Sequence, residues 1–173
     1  MNKSRDIAFM GMLLGVMVIS SWISIPMTVP FTLQTFAIFL TILVLGTWEG
    51  FFVVLSYIAL GLVGIPVFSG FKSGVAAISG PTGGYIIGFL LTAIVTGKLL
   101  ELLPDKRSYR CLSMFIGLII CYIFGTFWFI NMYTKATMSF SKALYLCVIP
   151  FIIPDVLKIL LADYIAGLLK KVG

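Results

Sequence analysis

Asp155 and Lys158 stand three residues apart in Pro150-Phe151-Ile152-Ile153-Pro154-Asp155-Val156-Leu157-Lys158, inside an apolar segment too long for an ordinary helix of a soluble protein. A charged residue in hydrocarbon costs at least about 2.5–3.5 kcal/mol on insertion scales, so a carboxylate and an ammonium kept there call for a function and a partner. At a spacing of i, i+3 the two share one helix face and can meet. Mutual neutralisation alone gains little over a well-packed apolar pair of the same volume. A binding role uses them better: an acceptor beside a donor suits a neutral ligand group that presents N–H and C=O together. Pro150 and Pro154 each lack the amide hydrogen that a continuous helix needs, so the helix is expected to kink or break around them, restarting at Pro154. Asp155 would then lie in a first turn, at the positive end of the helix dipole. Asp163, eight residues on, is expected at the interface.

Catalysis has little support. The chain contains no histidine, no nucleophile motif, no cluster of carboxylates for a metal and no phosphate-cradling loop followed by lysine and a hydroxyl residue. The remaining enzyme reading is a membrane-embedded one with Asp155 as acid or base, and it lacks a second convergent group. Cys111, Cys121 and Cys147 fall in apolar stretches without metal-ligand spacing and read as small hydrophobes.

The elements that must position the pair are membrane helices. Of 173 residues, 61% are hydrophobic and 10% charged, with a mean hydropathy of +1.16, far from the composition of soluble domains. At about 20 residues per crossing, this length implies an all-α polytopic protein of six transmembrane helices in one domain over 1–173. They are expected at about 7–25, 33–45, 51–63, 84–103, 112–133 and 143–169. Lys3 and Arg5 precede the first, which is too long for a signal peptide and reads as a helix that stays. It carries Gly11-x-x-x-Gly15, a face that lets another helix approach closely, within the chain or from a partner. Between 66 and 84, five glycines and two prolines interleave with Ser69, Ser73, Ser79 and Thr82. Irregular backbone at membrane depth is tolerated where protein buries it or it lines a cavity, so this stretch reads as a lid or re-entrant wall, or else as an outer loop.

The +6 charge is spread over ends and loops without interleaved aromatics, which argues against nucleic acid and for positive-inside topology. Lys3, Arg5, Lys98, Lys106, Arg107, Arg110, Lys170 and Lys171 fall on one side; Lys72, Lys135 and Lys142 fall on the other. Both termini are therefore expected in the cytoplasm, with the loops at 26–32 and 66–84 and the entry to the last helix facing out.

Ile25-Pro26, Pro30-Phe31-Thr32-Leu33-Gln34-Thr35, Gly61-Leu62-Val63-Gly64-Ile65-Pro66-Val67-Phe68, Gly80-Pro81-Thr82-Gly83-Gly84-Tyr85 and Pro154-Asp155 with Lys158 together resemble the BioY family, over nearly the whole chain. Its members are the biotin-specific substrate-binding (S) components of energy-coupling factor (ECF) transporters. The resemblance implies high-affinity capture of biotin in the cell membrane of a prokaryote, with a transmembrane coupling (T) subunit and two cytoplasmic ATPases as partners. It implies no intrinsic cofactor, and ATP only on those partner subunits. Biotin's ureido ring offers N–H donors and a carbonyl, so Asp155 would accept from it and Lys158 donate to it, with the carboxylate towards the mouth. The reverse pose, Lys158 on the carboxylate, stays open. Gln34 and Tyr85 are further candidates for polar contacts and Trp22 for an apolar wall, though each could equally be packing. Gly11 and Gly15 stand where relatives, often with alanines, dock the coupling subunit. Lys72 departs from the small residues usual in that loop. Rival readings are an S component for another small vitamin, the membrane enzyme, or an assembly protein with a structural charged pair. Topology is checked by cysteine labelling of intact cells: an impermeant reagent should reach Lys72→Cys and spare Arg107→Cys, and the opposite pattern would invert the arrangement.

Overall fold

A computed structural model describes residues 3–132 and 139–172. Among the described residues the named elements are helices, a two-stranded ribbon and an isolated bridge between Phe68 and Lys72. The elements are α1 (Lys3–Trp22), β1 (Ser24–Ile25), β2 (Phe31–Thr32), α2 (Gln34–Leu45), α3 (Thr47–Leu62), a 3-10 turn (Ser69–Phe71), α4 (Val75–Ser79), α5 (Gly83–Leu102), α6 (Arg107–Met132), α7 (Phe140–Cys147) and α8 (Ile149–Val172). Tyr133, the expected end of the fifth span, and Lys135 lie outside the described residues.

α1, α5 and α6 are each long and apolar enough to cross a membrane, α7 and α8 pass the same test as a pair bent by 40°, and α2 and α3 are shorter apolar helices. At 12 and 16 residues, and about 1.5 Å per residue, α2 and α3 reach only about 18 and 24 Å. They are joined through Gly46 alone, whose φ of +89° is a conformation that glycine adopts without steric cost. Two expected boundaries shift for physical reasons. The turn expected at 46–50 needs only that one residue, so α3 begins at Thr47. Arg107 and Arg110, expected in a loop, belong to the first turn of α6.

The prolines of the 26–32 loop shape a two-stranded antiparallel ribbon, with Ser24 opposite Thr32 and Ile25 opposite Phe31. Pro26 and Pro30 flank its turn, where no ladder donor is required. The 66–84 stretch is more ordered than its composition suggests, holding the 3-10 turn and α4.

α5 and α6 form the most extensive helix pair. Small residues make that approach possible, and Thr92 Oγ1 donates to Gly117 O at 3.1 Å across it. This is how helices associate where lipid supplies no hydrophobic drive. Much of the outer surface is apolar, including Met12, Ile19, Phe52, Phe115, Ile123, Phe127 and Leu157. α8 shows the inversion most clearly: Asp155, Lys158 and Asp163 are buried while Ile153, Leu157 and Leu161 face out. A helix of a soluble protein would do the reverse.

The break in the last helix falls at Val148 (φ −125°, ψ −56°), not at Pro154. Pro150 occupies the first turn of α8, where a missing N–H costs nothing, and Pro154 is carried inside the helix. Asp155 is therefore a full turn further from the helix start than expected. Direct hydrogen bonds, and not the helix dipole, stabilise its carboxylate. At the start of α5, a Cβ on Gly83 would collide with the backbone carbonyl of Ile78, whereas one on Gly11 meets nothing within 4 Å. Gly83→Ala should thus cost about 1–3 kcal/mol and lower the thermal midpoint of the detergent-purified protein, with Gly11→Ala indistinguishable from the parent.

Candidate functional site

α8 delivers Asp155 and Lys158 to the inside of the bundle, where they are only 3% and 6% exposed. Lys158 Nζ lies 2.7 Å from Asp155 Oδ1. Two further donors converge on the carboxylate: Thr35 Oγ1 of α2 reaches Oδ1 at 2.9 Å and the Tyr122 hydroxyl of α6 reaches Oδ2 at 2.5 Å. Three helices thus meet on one side chain. Lys158 Nζ also sits 4.2 Å from the centroid of the Phe31 ring, whose negative face is a favourable neighbour for an ammonium in an apolar setting. Phe31 in turn stacks on Phe151 at 6.4 Å between centroids.

The pair forms part of the lining of a chamber between the helices, whose mainly apolar wall with a few convergent polar groups is the composition of small-molecule sites. Val29, Pro30, Phe68, Ile86, Phe89 and Phe151 supply apolar wall. Thr32, Gln34, Thr35, Tyr85 and Tyr122 place polar atoms among them. One turn further along α2, α6 and α8, at Phe39, Leu118 and Ile159, the side chains belong to a separate buried apolar cluster. That cluster closes the inner end.

Gln34 and Tyr85 both line the chamber. Gln34 is tied on both atoms of its amide: Thr32 Oγ1 donates to Oε1 at 2.9 Å and Nε2 donates to the Tyr57 hydroxyl at 2.6 Å. Tyr57 passes its own proton to Val67 O at 2.8 Å. The Tyr85 hydroxyl lies 3.0 Å from Thr126 Oγ1. Trp22 is elsewhere. It is 39% exposed, donates through Nε1 to Pro66 O at 2.8 Å and stacks on Phe71 at 5.2 Å, so it ties down the 66–72 segment instead of walling the chamber. Gly11 and Gly15 lie on α1 away from the chamber, with open space at both Cβ positions.

Sequence reasoning missed Tyr122 and the role of Thr35, the two neutral donors to Asp155. Tyr122 had no signal, since an aromatic in an apolar helix looks like packing; Thr35 stood beside Gln34 in a motif already singled out. Asp163, expected at the interface, is 4% exposed and held by Arg110 Nε at 2.6 Å and Arg107 Nε at 3.2 Å. Arg110 also reaches Asp105 at 2.8 Å. Among the described residues no group of three His, Cys, Asp or Glu side chains comes together.

A bundle of membrane-capable helices around a chamber lined by a self-neutralised pair has the build of a membrane-embedded binding protein. The sequence profile of the BioY family matches residues 1–173, and the chain belongs to that family. It is 40% identical to the biotin transporter BioY of Thermotoga maritima, over 96% of each chain. It is 37% identical to the probable biotin transporter BioY of Pyrococcus horikoshii, over 97% of this chain and 98% of that one. Its fold matches the crystal structure of an S-component for biotin from an ECF-type ABC transporter with a TM-score of 0.90 and 26% identity, covering all of this chain and 95% of that one.

Removing one member of the buried pair leaves the other charge unpaired, at a cost of about 3–5 kcal/mol. Asp155→Asn should therefore melt well below the parent in detergent without ligand, and adding Lys158→Met to it should recover part of the loss. A double variant that melts lower still would mean that the two residues are not energetically coupled.

Proposed function

We propose that Asp155 and Lys158 hold the ureido ring of biotin in this chamber. The chain is a transport protein and not an enzyme: it takes up biotin as the substrate-specific S component of an ECF-type ABC transporter, with T and ATPase subunits as partners. The observation that carries the site assignment is the hydrogen-bond capacity left at the pair. A carboxylate has about four acceptor positions and an ammonium three donors. Three positions on Asp155 are taken by Lys158, Thr35 and Tyr122, two on Oδ1 and one on Oδ2. One acceptor position remains on Oδ2, and Lys158 keeps donors beyond the one it spends on Asp155. One N–H accepted and one C=O served, side by side, is the edge of a cyclic urea. The pair is neutral as a unit, so a neutral head group enters without leaving a net charge buried there.

Gln34 and Tyr85 add polar contacts from the wall, and Gly11 and Gly15 offer the smooth face of α1 to the coupling subunit. The membrane is the prokaryotic cell membrane, both termini are cytoplasmic and the mouth faces outward, which the placement of basic residues supports. The chain carries no cofactor of its own, and two ATPases supply the energy that drives release inside. The differential affinity between outward and inward states that uptake requires resides in the assembled complex.

Calorimetric titration of the purified chain with biotin tests the assignment. Saturable binding is expected, weakened at least about tenfold in Asp155→Asn and in Lys158→Ala, as charge-assisted hydrogen bonds are lost. A parent that ignores biotin and takes another vitamin would overturn the reading, as would variants that bind like the parent.

A further inference from the structure

Three charged side chains line the chamber: Asp155, Lys158 and Lys72. Asp155 and Lys158 cancel each other at 2.7 Å. Lys72 is exposed at the mouth, and among the described residues no carboxylate lies within ion-pair distance of it. The lining therefore carries one uncompensated positive charge, and it is solvent-exposed where the neutral pair is buried. Building on the reading of the chamber given above, we propose that Lys72 is the residue that receives the ligand's carboxylate, and that it makes this protein discriminate free biotin from biotin whose carboxylate is masked.

Lys72 does not hang from a loose loop. Its carbonyl accepts from Phe68 N at 3.0 Å in a local antiparallel bridge. Phe68 is buried, packs edge-on against Tyr57 at 5.6 Å, and its ring fills the space where a Cβ on Gly61 would go. Two residues beyond Lys72, Gly74 N donates to Gly61 O at 2.7 Å. The backbone on either side is thus fastened to the C-terminal turn of α3, and the side chain points its charge over the chamber from a fixed base. Phe71, next to it, is pinned by the stack on Trp22. Pre-positioning of this kind lowers the ordering cost of a salt bridge formed on binding.

The charge distribution also chooses between the two poses. A ligand carboxylate on Lys158 would add a net negative charge to a buried pair that is already neutral, whereas at Lys72 it would meet a positive charge with no carboxylate within ion-pair distance among the described residues. A neutral head against the inner pair and an anionic tail at the mouth leave every charge matched. With the tail at Lys72, the one anionic group of the ligand stays near water, where its desolvation is smallest.

Detergent-purified full-length protein is titrated with biotin and with biotin methyl ester, in the parent, Lys72→Ala and Lys72→Arg. The parent should favour biotin over the ester by about three- to tenfold, the range expected of a partly exposed charge-assisted contact. Lys72→Ala should lose that preference by weakening biotin while leaving the ester unchanged, and Lys72→Arg should restore it. A preference that survives Lys72→Ala, or a parent that binds both compounds equally, overturns this inference and leaves the ureido assignment standing. If Lys158→Ala is the variant that equalises the two, the pose is reversed. A parent that binds neither compound overturns the reading of the chamber and this inference with it.

Discussion

The Asp155 carboxylate is the point on which the bundle depends. A bare carboxylate in an apolar interior would be intolerable, and three helices supply what makes it tolerable: Lys158 from α8, Thr35 from α2 and Tyr122 from α6. Each donor fixes the rotation of its own helix about the chamber, so satisfying one side chain sets the relative registers of α2, α6 and α8. The same donors leave a single acceptor position facing the cavity. With the ureido ring seated as proposed, structural satisfaction and ligand recognition draw on one set of hydrogen bonds, and the ligand completes a network that the fold has already built.

How much of this could be read from the residues depends on the length scale of each interaction. Asp155 and Lys158 were visible because charge in an apolar run has no other explanation and their spacing is local. The glycine-rich stretch and the prolines were visible as departures from helix. Tyr122 and Thr35 were not, because their partner lies 33 and 120 residues away in sequence and neither type is unusual where it stands. Trp22 was assigned to the chamber wall for its size and neighbourhood; its indole N–H found Pro66 O instead, a contact across 44 residues that no local pattern announces. Pro154 misled for the opposite reason. Either proline could end a helix on local grounds, and the packing of α7 and α8 decides that the break comes before Pro150.

Asp163 carries a related lesson. Its position near the end of the last span suggested an interfacial group, yet Arg107 and Arg110 of α6 fold over it and Asp105 extends the cluster. Two charged layers therefore stand along α8, eight residues apart. The layer at Asp155 is balanced by a buried lysine and neutral donors, the layer at Asp163 by arginines that remain partly in water, 24% exposed for Arg110 and 66% for Arg107. The first is suited to hold a ligand. The second fastens α6 to α8 where they reach the surface.

Between those layers lies the apolar cluster of Phe39, Met114, Leu118, Ile159 and Ala162, each no more than 3% exposed. A ligand with a carboxylate could cross this floor only by parting tightly packed side chains and losing its hydration at the same step, and both costs are large. The mouth, by contrast, is bounded by short connections, the 24–32 ribbon and the segment around Lys72, with no comparable apolar layer across it. The packing thus favours exit by the route of entry over passage through the bundle.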